Sequence, residues 1–176
     1  SAYADLVLES QLASAIEQEE FTLLYQPQVD NSGQTVGAEA LIRWRHPKRG
    51  LLAPDEFIEL AEQHRLMLPI GAWVLRAAAK AARQWYEVAG TAALSVAVNL
   101  STLQFSAIDF VDTVAAVLAE SGLPRGWLEF ELTERMLVDD LPAVCKRLAE
   151  LRALGVRVSI DDFGTGYSSL GHLKNL

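Results

Sequence analysis

The sequence predicts an α/β fold built on a mainly parallel sheet. Three observations carry this. Short β-branched runs alternate with helix-length segments over residues 94–161, Gly122 and Gly155 stand where two of those helices must stop, and Asp30-Asn31-Ser32-Gly33 is a tight turn between two earlier strand-like runs. Alternation of this kind means βαβ units, whose strands run parallel. The early turn instead makes the first two strands antiparallel. A length of 176 residues with 51% hydrophobic side chains suits one core-forming domain and leaves no room for a long disordered segment.

Each element has its own local reason. Leu8, Leu12, Ala15 and Ile16 recur at helical spacing and predict an N-terminal helix over about residues 5–20. Phe21 to Val29 reads as a strand with Leu24, Gln26 and Gln28 on one face, and Pro27 marks a free edge or a bulge. After the turn, Thr35 to Trp44 puts Glu39, Leu41 and Arg43 on one face and Ala38, Ala40, Ile42 and Trp44 on the other. Arg45 to Ala53 reads as a solvated basic loop. Pro54-Asp55-Glu56 then opens a helix through Phe57, Ile58, Leu60 and Ala61, with proline and acids at its positive end. An alanine-rich helix follows over about Pro69 to Val88, and after it strands at Leu94–Leu100, Trp127–Thr133 and Val156–Asp161 alternate with helices at Asp109–Glu120 and Pro142–Leu154.

Composition excludes several function classes. A formal net charge of −8 opposes binding to a nucleic-acid polymer, which dense Lys and Arg would drive. His46, His64 and His172 lack the paired spacing of a zinc site, and the single Cys145 forms no internal disulfide. No apolar run approaches the roughly 18 residues that span a bilayer, and the first residues lack the order of a secretory leader, which together predict a cytoplasmic location.

The chemistry sits where the strands end. Val156, Val158 and Ile160 share the apolar face of the last strand, so Asp161 points to the other, with Asp162 just beyond and a Gly164-Thr165-Gly166 turn after it. The same alternation puts Asn99 opposite Val96, Val98 and Leu100, and Glu131 opposite Leu128, Phe130 and Leu132. Glu39, Asn99, Glu131 and Asp161 therefore share the face opposite the apolar one, three of them near carboxyl ends of strands, where α/β folds hold their sites. Two readings fit. Converging carboxylates repel unless a cation lies among them, and oxygen-only donors suit hard ions such as Mg²⁺, Mn²⁺ or Ca²⁺, with room for two ions about 3.5–4 Å apart. Alternatively, the acids form internal salt bridges with Arg43 and Arg157. Glu129 and Arg157, on neighbouring strands below that layer, are expected to pair with each other.

These residues resemble a known family. Glu39-Ala40-Leu41 with Arg43 and Trp44-Arg45-His46-Pro47, Asn99 in Val98-Asn99-Leu100-Ser101, Glu131-Leu132-Thr133-Glu134, and Asp161-Asp162-Phe163-Gly164-Thr165-Gly166-Tyr167-Ser168-Ser169-Leu170 are similar to the EAL domain, the cyclic di-GMP phosphodiesterase family. Tyr25-Gln26-Pro27 and Pro54-Asp55-Glu56-Phe57-Ile58 also resemble it. The resemblance implies a modified (β/α)8 TIM-like barrel with an antiparallel first strand, and hydrolysis of cyclic di-GMP to linear pGpG with two Mg²⁺ or Mn²⁺ ions. It implies Glu39, Asn99, Glu131, Asp161 and Asp162 as metal ligands, Gln26, Leu41 and Arg43 as substrate contacts with Arg43 on a phosphate, and Glu134 as a tether for the loop after Asp162. That loop is also the implied homodimer contact, and a fused sensory or GGDEF domain is expected in the parent protein.

A complete barrel takes about 250 residues, so about five strands in residues 1–176 predict a partial domain, with the N-terminal helix ahead of barrel residues 21–176. The strand lysine implied to hold the nucleophilic water, and a later metal-binding glutamate, are then expected beyond Leu176, leaving residues 1–176 alone inactive. The alternative function is a cyclic di-GMP receptor or protein-interaction scaffold without catalysis.

Overall fold

A computed structural model describes residues 2–90, 94–137 and 140–161. Its strands are β1 (Phe21–Val29), β2 (Thr35–His46), β3 (Gly50–Leu52), β4 (Ser95–Asn99), β5 (Leu128–Thr133) and β6 (Arg157–Asp161). They form one sheet in the order β1-β2-β4-β5-β6, with β3 paired to β2. β1 and β3 run antiparallel to β2, whereas β2, β4, β5 and β6 are mutually parallel neighbours. The helices are α1 (Ala2–Ser14), α2 (Ile58–Gln63), α3 (Met67–Ala89), α4 (Thr102–Ser106), α5 (Phe110–Ser121) and α6 (Leu141–Ala153). Among the described residues no helix is long and apolar enough to cross a membrane.

One face of the sheet is the core. Val96, Val98, Leu128, Phe130 and Leu132 are all at most 1% exposed, and they meet Ala78, Ala79 and Ala82 of α3, Val114 and Val117 of α5, and Leu148 and Leu151 of α6. Alanines on α3 let that helix approach the strands closely, and its buried positions recur at the spacing that one helical face requires. At the other end Trp44 is fully buried among Phe57, Phe21 and His46, and its indole N–H donates to Glu20 Oε2 at 2.8 Å. An indole removed from water keeps its partner, so the ring anchors the segment leading into β1 to the end of β2.

That anchor explains the first departure from expectation. α1 ends at Ser14 and the chain turns through residues 15–19, with Glu19 at a φ of 53°. The acidic stretch Glu17–Glu20 has adequate helix propensity, but the ties from Trp44 and from Arg45, whose backbone N–H donates to Glu20 O at 2.7 Å, override it. The basic loop also differs. His46 is only 4% exposed; its Nδ1 accepts from the backbone N–H of Lys48 and Arg49, and its Nε2 faces Gln11 Oε1 at 2.9 Å. Held at both ring nitrogens, the imidazole clasps the turn that starts β3. Lys48 and Arg49 belong to this hairpin. Pro54–Glu56 forms a 3-10 turn ahead of α2.

The turn between β1 and β2 behaves as read. Asp30 accepts from Ser32 Oγ at 2.6 Å and from the backbone N–H of Ser32 and Gln34 at 2.8 and 3.0 Å, while Gly33 takes a φ of 80°. Pro27 lies on the sheet's edge strand, beside a register shift between Gln28 and Val29. The Ser32 hydroxyl, followed by those backbone donors, holds Asp30 below the ordinary aspartate pKa. A carboxylate depressed on folding adds stability above its unfolded pKa and loses it as pH falls through the folded value. Asp30→Ala should therefore lower the thermal midpoint modestly at pH 7. The gap to wild type should begin to narrow once the pH drops below about 3.9, the ordinary aspartate value, and go on closing as the pH falls through the folded value, and a gap independent of pH would contradict this account.

Candidate metal centre

The second face of the sheet carries the polar side chains, and it has two layers. In the lower one Ser95 and Ala97 are buried, the Ser95 hydroxyl donates to Glu129 Oε2 at 3.3 Å, and Arg157 Nε lies 3.7 Å from the same oxygen. Glu129 and Arg157 are register partners on β5 and β6, so their expected pairing holds.

The upper layer gathers the candidate ligands. Asn99 closes β4 and donates from Nδ2 to Glu39 Oε1 on β2 at 2.7 Å, while its register partner on β5 is Glu131. Glu131 and Glu39 are half-buried. Gln28 of β1 donates from Nε2 to Glu131 Oε1 at 3.1 Å. Asp161 is the last residue of β6, with its backbone opposite Thr133, two positions beyond Glu131. Asp162 and the loop after it, including Gly164 to Tyr167, lie outside the described residues, as do the dimer contact and loop tether expected there. Among the described residues no group of three or more His, Cys, Asp or Glu side chains converges. Glu39, Asn99 and Glu131 nevertheless supply oxygens from three strands at one rim, a donor set that fits a hard divalent cation.

The residues expected to touch substrate lie on β1 and β2. Gln26 is exposed and lies opposite Glu39 in the β1–β2 register. Leu41 and Asn99 share the wall of a cavity of about 290 Å³ that runs back to Pro54, Ile58, Gly71 and Gln104. Arg43 is half-buried, and its Nη1 donates to the carbonyl of Ile42 at 2.8 Å. Glu134 opens a 3-10 segment, Glu134–Leu137, directly after β5.

Two features escaped the sequence reading. α4 is a five-residue helix whose Ser101 Oγ accepts from the Gln104 N–H, while the Gln104 side chain accepts from the Ser101 N–H. Its signal was available as Ser101-x-x-Gln104, a capping box. The other is Gln28, which alternation placed on the right face but which only the curvature of the sheet brings to Glu131.

The family model for the EAL domain matches residues 9–176. The chain belongs to the EAL domain family. It is 44% identical over 177 residues to the bifunctional diguanylate cyclase/cyclic di-GMP phosphodiesterase MucR of Pseudomonas aeruginosa, covering 100% of this chain and 26% of that protein. It is 42% identical over 176 residues to the cyclic di-GMP phosphodiesterase NbdA of the same organism, covering 99% and 22%. The EAL chain thus spans about a quarter of the length of the curated relatives it matches. Among solved structures, the MucR phosphodiesterase in complex with c-di-GMP superposes with a TM-score of 0.89 at 44% identity, covering 95% of this chain and 68% of that one. The EAL enzyme Bd1971 in its cAMP- and cyclic-di-GMP-bound form gives 0.84 at 33% identity, covering 96% and 47%. These superpositions bear out the expected α/β class with a barrel-like parallel sheet and an antiparallel first strand.

Proposed function

We propose that this EAL domain is a metal-dependent phosphodiesterase that opens one phosphodiester of cyclic di-GMP to give linear pGpG. The observation that carries the reading is the meeting of Glu39 and Asn99 at 2.7 Å beside Glu131, acid and amide oxygens from three strands at one rim. Together with Asp161 and Asp162 they are the residues proposed to hold two divalent cations, Mg²⁺ or Mn²⁺. Such ions, when bound, supply an acidified water and neutralise charge on the attacking and leaving oxygens. In the net reaction water adds its oxygen to phosphorus, and the leaving sugar oxygen gains a proton.

The chain's own residues do the rest. Arg43 turns its guanidinium from the Ile42 carbonyl to a phosphate oxygen, Leu41 offers an apolar wall, and Gln26 contacts the dinucleotide from the neighbouring strand. Glu134 holds the loop after Asp162, which also provides a homodimer contact. A cyclase-type or sensory domain on the same polypeptide fits the likeness to MucR, a bifunctional cyclase and phosphodiesterase.

The test is conversion of cyclic di-GMP by the purified full-length protein, followed by chromatography. Formation of pGpG with Mg²⁺ or Mn²⁺, abolished by EDTA, is expected. Binding of cyclic di-GMP without turnover would overturn the enzyme reading in favour of a receptor. Arg43→Ala should raise KM about ten- to hundredfold, because a charge-assisted hydrogen bond is worth about 1.5–3 kcal/mol. An unchanged KM would remove Arg43 from the substrate site.

A further inference from the structure

Gln28 has no part in the mechanism above, yet it makes a long reach across the sheet. Its strand, β1, is separated from β5 by β2 and β4. Three ladder spacings of about 4.8 Å would hold the two strands about 14 Å apart on a flat sheet. The 3.1 Å bond from Gln28 Nε2 to Glu131 Oε1 therefore requires the sheet to curl around its polar face. Space for the crossing comes from small residues. Gln28 stands opposite Gly37, Gly37 pairs with Ser95 of β4, and Ala97, two positions along β4, pairs with Glu39; Ser95 and Ala97 are buried and short, so they leave room above this part of β4.

From this geometry we infer that Gln28 is a positioning residue for the metal centre, gripping Glu131 Oε1 and so fixing the carboxylate that takes the cation. The inference rests on the metal-site reading above and adds a member to it. A carboxylate held by a fixed donor loses little rotamer freedom when it takes a metal, and removing such an outer partner commonly weakens metal affinity about 10–100-fold. An amide suits this role because it donates without the charge that would compete with the cation, which a lysine would bring.

The experiment is Mn²⁺ titration of the full-length protein, read by calorimetry and by the electron paramagnetic resonance of free Mn²⁺. Gln28→Met keeps the side chain's length and removes the donor. It should weaken Mn²⁺ binding by about tenfold or more, with the circular dichroism and thermal midpoint of the metal-free protein unchanged. The readout that a merely structural role would not move is the coupling: in a Glu131→Gln background, Gln28→Met should have no further effect on Mn²⁺ affinity. Should Gln28→Met lower the metal-free midpoint, Gln28→Asn, which keeps the amide but withdraws it by one methylene, must show the same loss and the same coupling. Wild-type affinity in these variants, or a loss that persists in the Glu131→Gln background, overturns the role of Gln28 alone. A wild-type protein that takes up no Mn²⁺ overturns the metal-site reading and this one with it.

Discussion

Glu39→Ala is expected to reduce cyclic di-GMP hydrolysis by roughly three orders of magnitude, since a bound cation supplies several kcal/mol of transition-state stabilisation and each 1.36 kcal/mol is tenfold in rate. The companion variant Glu39→Gln separates chemistry from folding. A glutamine retains the oxygen that accepts from Asn99 Nδ2, so the contact at 2.7 Å between β2 and β4 survives while the negative charge is gone. Hydrolysis should still collapse. The metal-free protein should be no less stable than wild type, because half-buried Glu39 and Glu131 face the same rim and removing one charge relieves their repulsion. Metal should then raise the thermal midpoint of wild type more than that of the variant, the difference following the lost affinity. A structural acid would behave the opposite way, lowering the metal-free midpoint when neutralised. Undiminished turnover in Glu39→Ala would mean that the reaction is carried out elsewhere.

The same contrast between local and long-range information decides what could be read from the chain. The parallel ladder was legible because each strand is long enough for alternation to show, and because Gly122, at a φ of 61°, and Gly155, at 89°, punctuate the helices before them. Alternation also sufficed for Glu129 and Arg157, which need only adjacent strands in register. β3 was not legible, since three residues cannot display a period, and its cause, the buried His46 ring accepting from two backbone N–H groups, depends on Gln11 from α1. The end of α1 failed for a related reason: the side chain that stops it, Trp44, lies two strands later. Gln28 is the sharpest case. Its face was assigned correctly, but meeting Glu131 depends on the curl accumulated over three strand pairings, a quantity that no local pattern encodes.

Gly37→Ala should cost more stability than any other glycine-to-alanine change among the described residues. A Cβ built there would stand 2.3 Å from the carbonyl oxygen of Ser95 and 2.9 Å from its hydroxyl. Both neighbours belong to the register partner on β4, and the nearer one is backbone, which cannot swing aside. Strand propensity alone would favour the substitution, as alanine gives up less chain entropy than glycine. The collision reverses that sign. β2 must move off β4, and overpacking of this kind costs about 1–3 kcal/mol or more, a large share of the roughly 5–15 kcal/mol that holds a domain together. Glu39 lies two residues along the same strand, so its contact with Asn99 should loosen too, and metal affinity should fall with stability. Gly71→Ala is the control. Its Cβ would approach the Gln104 side chain even more closely, at 1.8 Å, yet that side chain can rotate away at the expense of the α4 cap, about 0.5–2 kcal/mol. Alanine within α3 returns roughly 0.5–1 kcal/mol of helix propensity, leaving a small net change. Urea denaturation should therefore rank Gly37→Ala well below Gly71→Ala in midpoint, and a Gly37→Ala protein with the wild-type midpoint would show that β2 and β4 do not pack at this register.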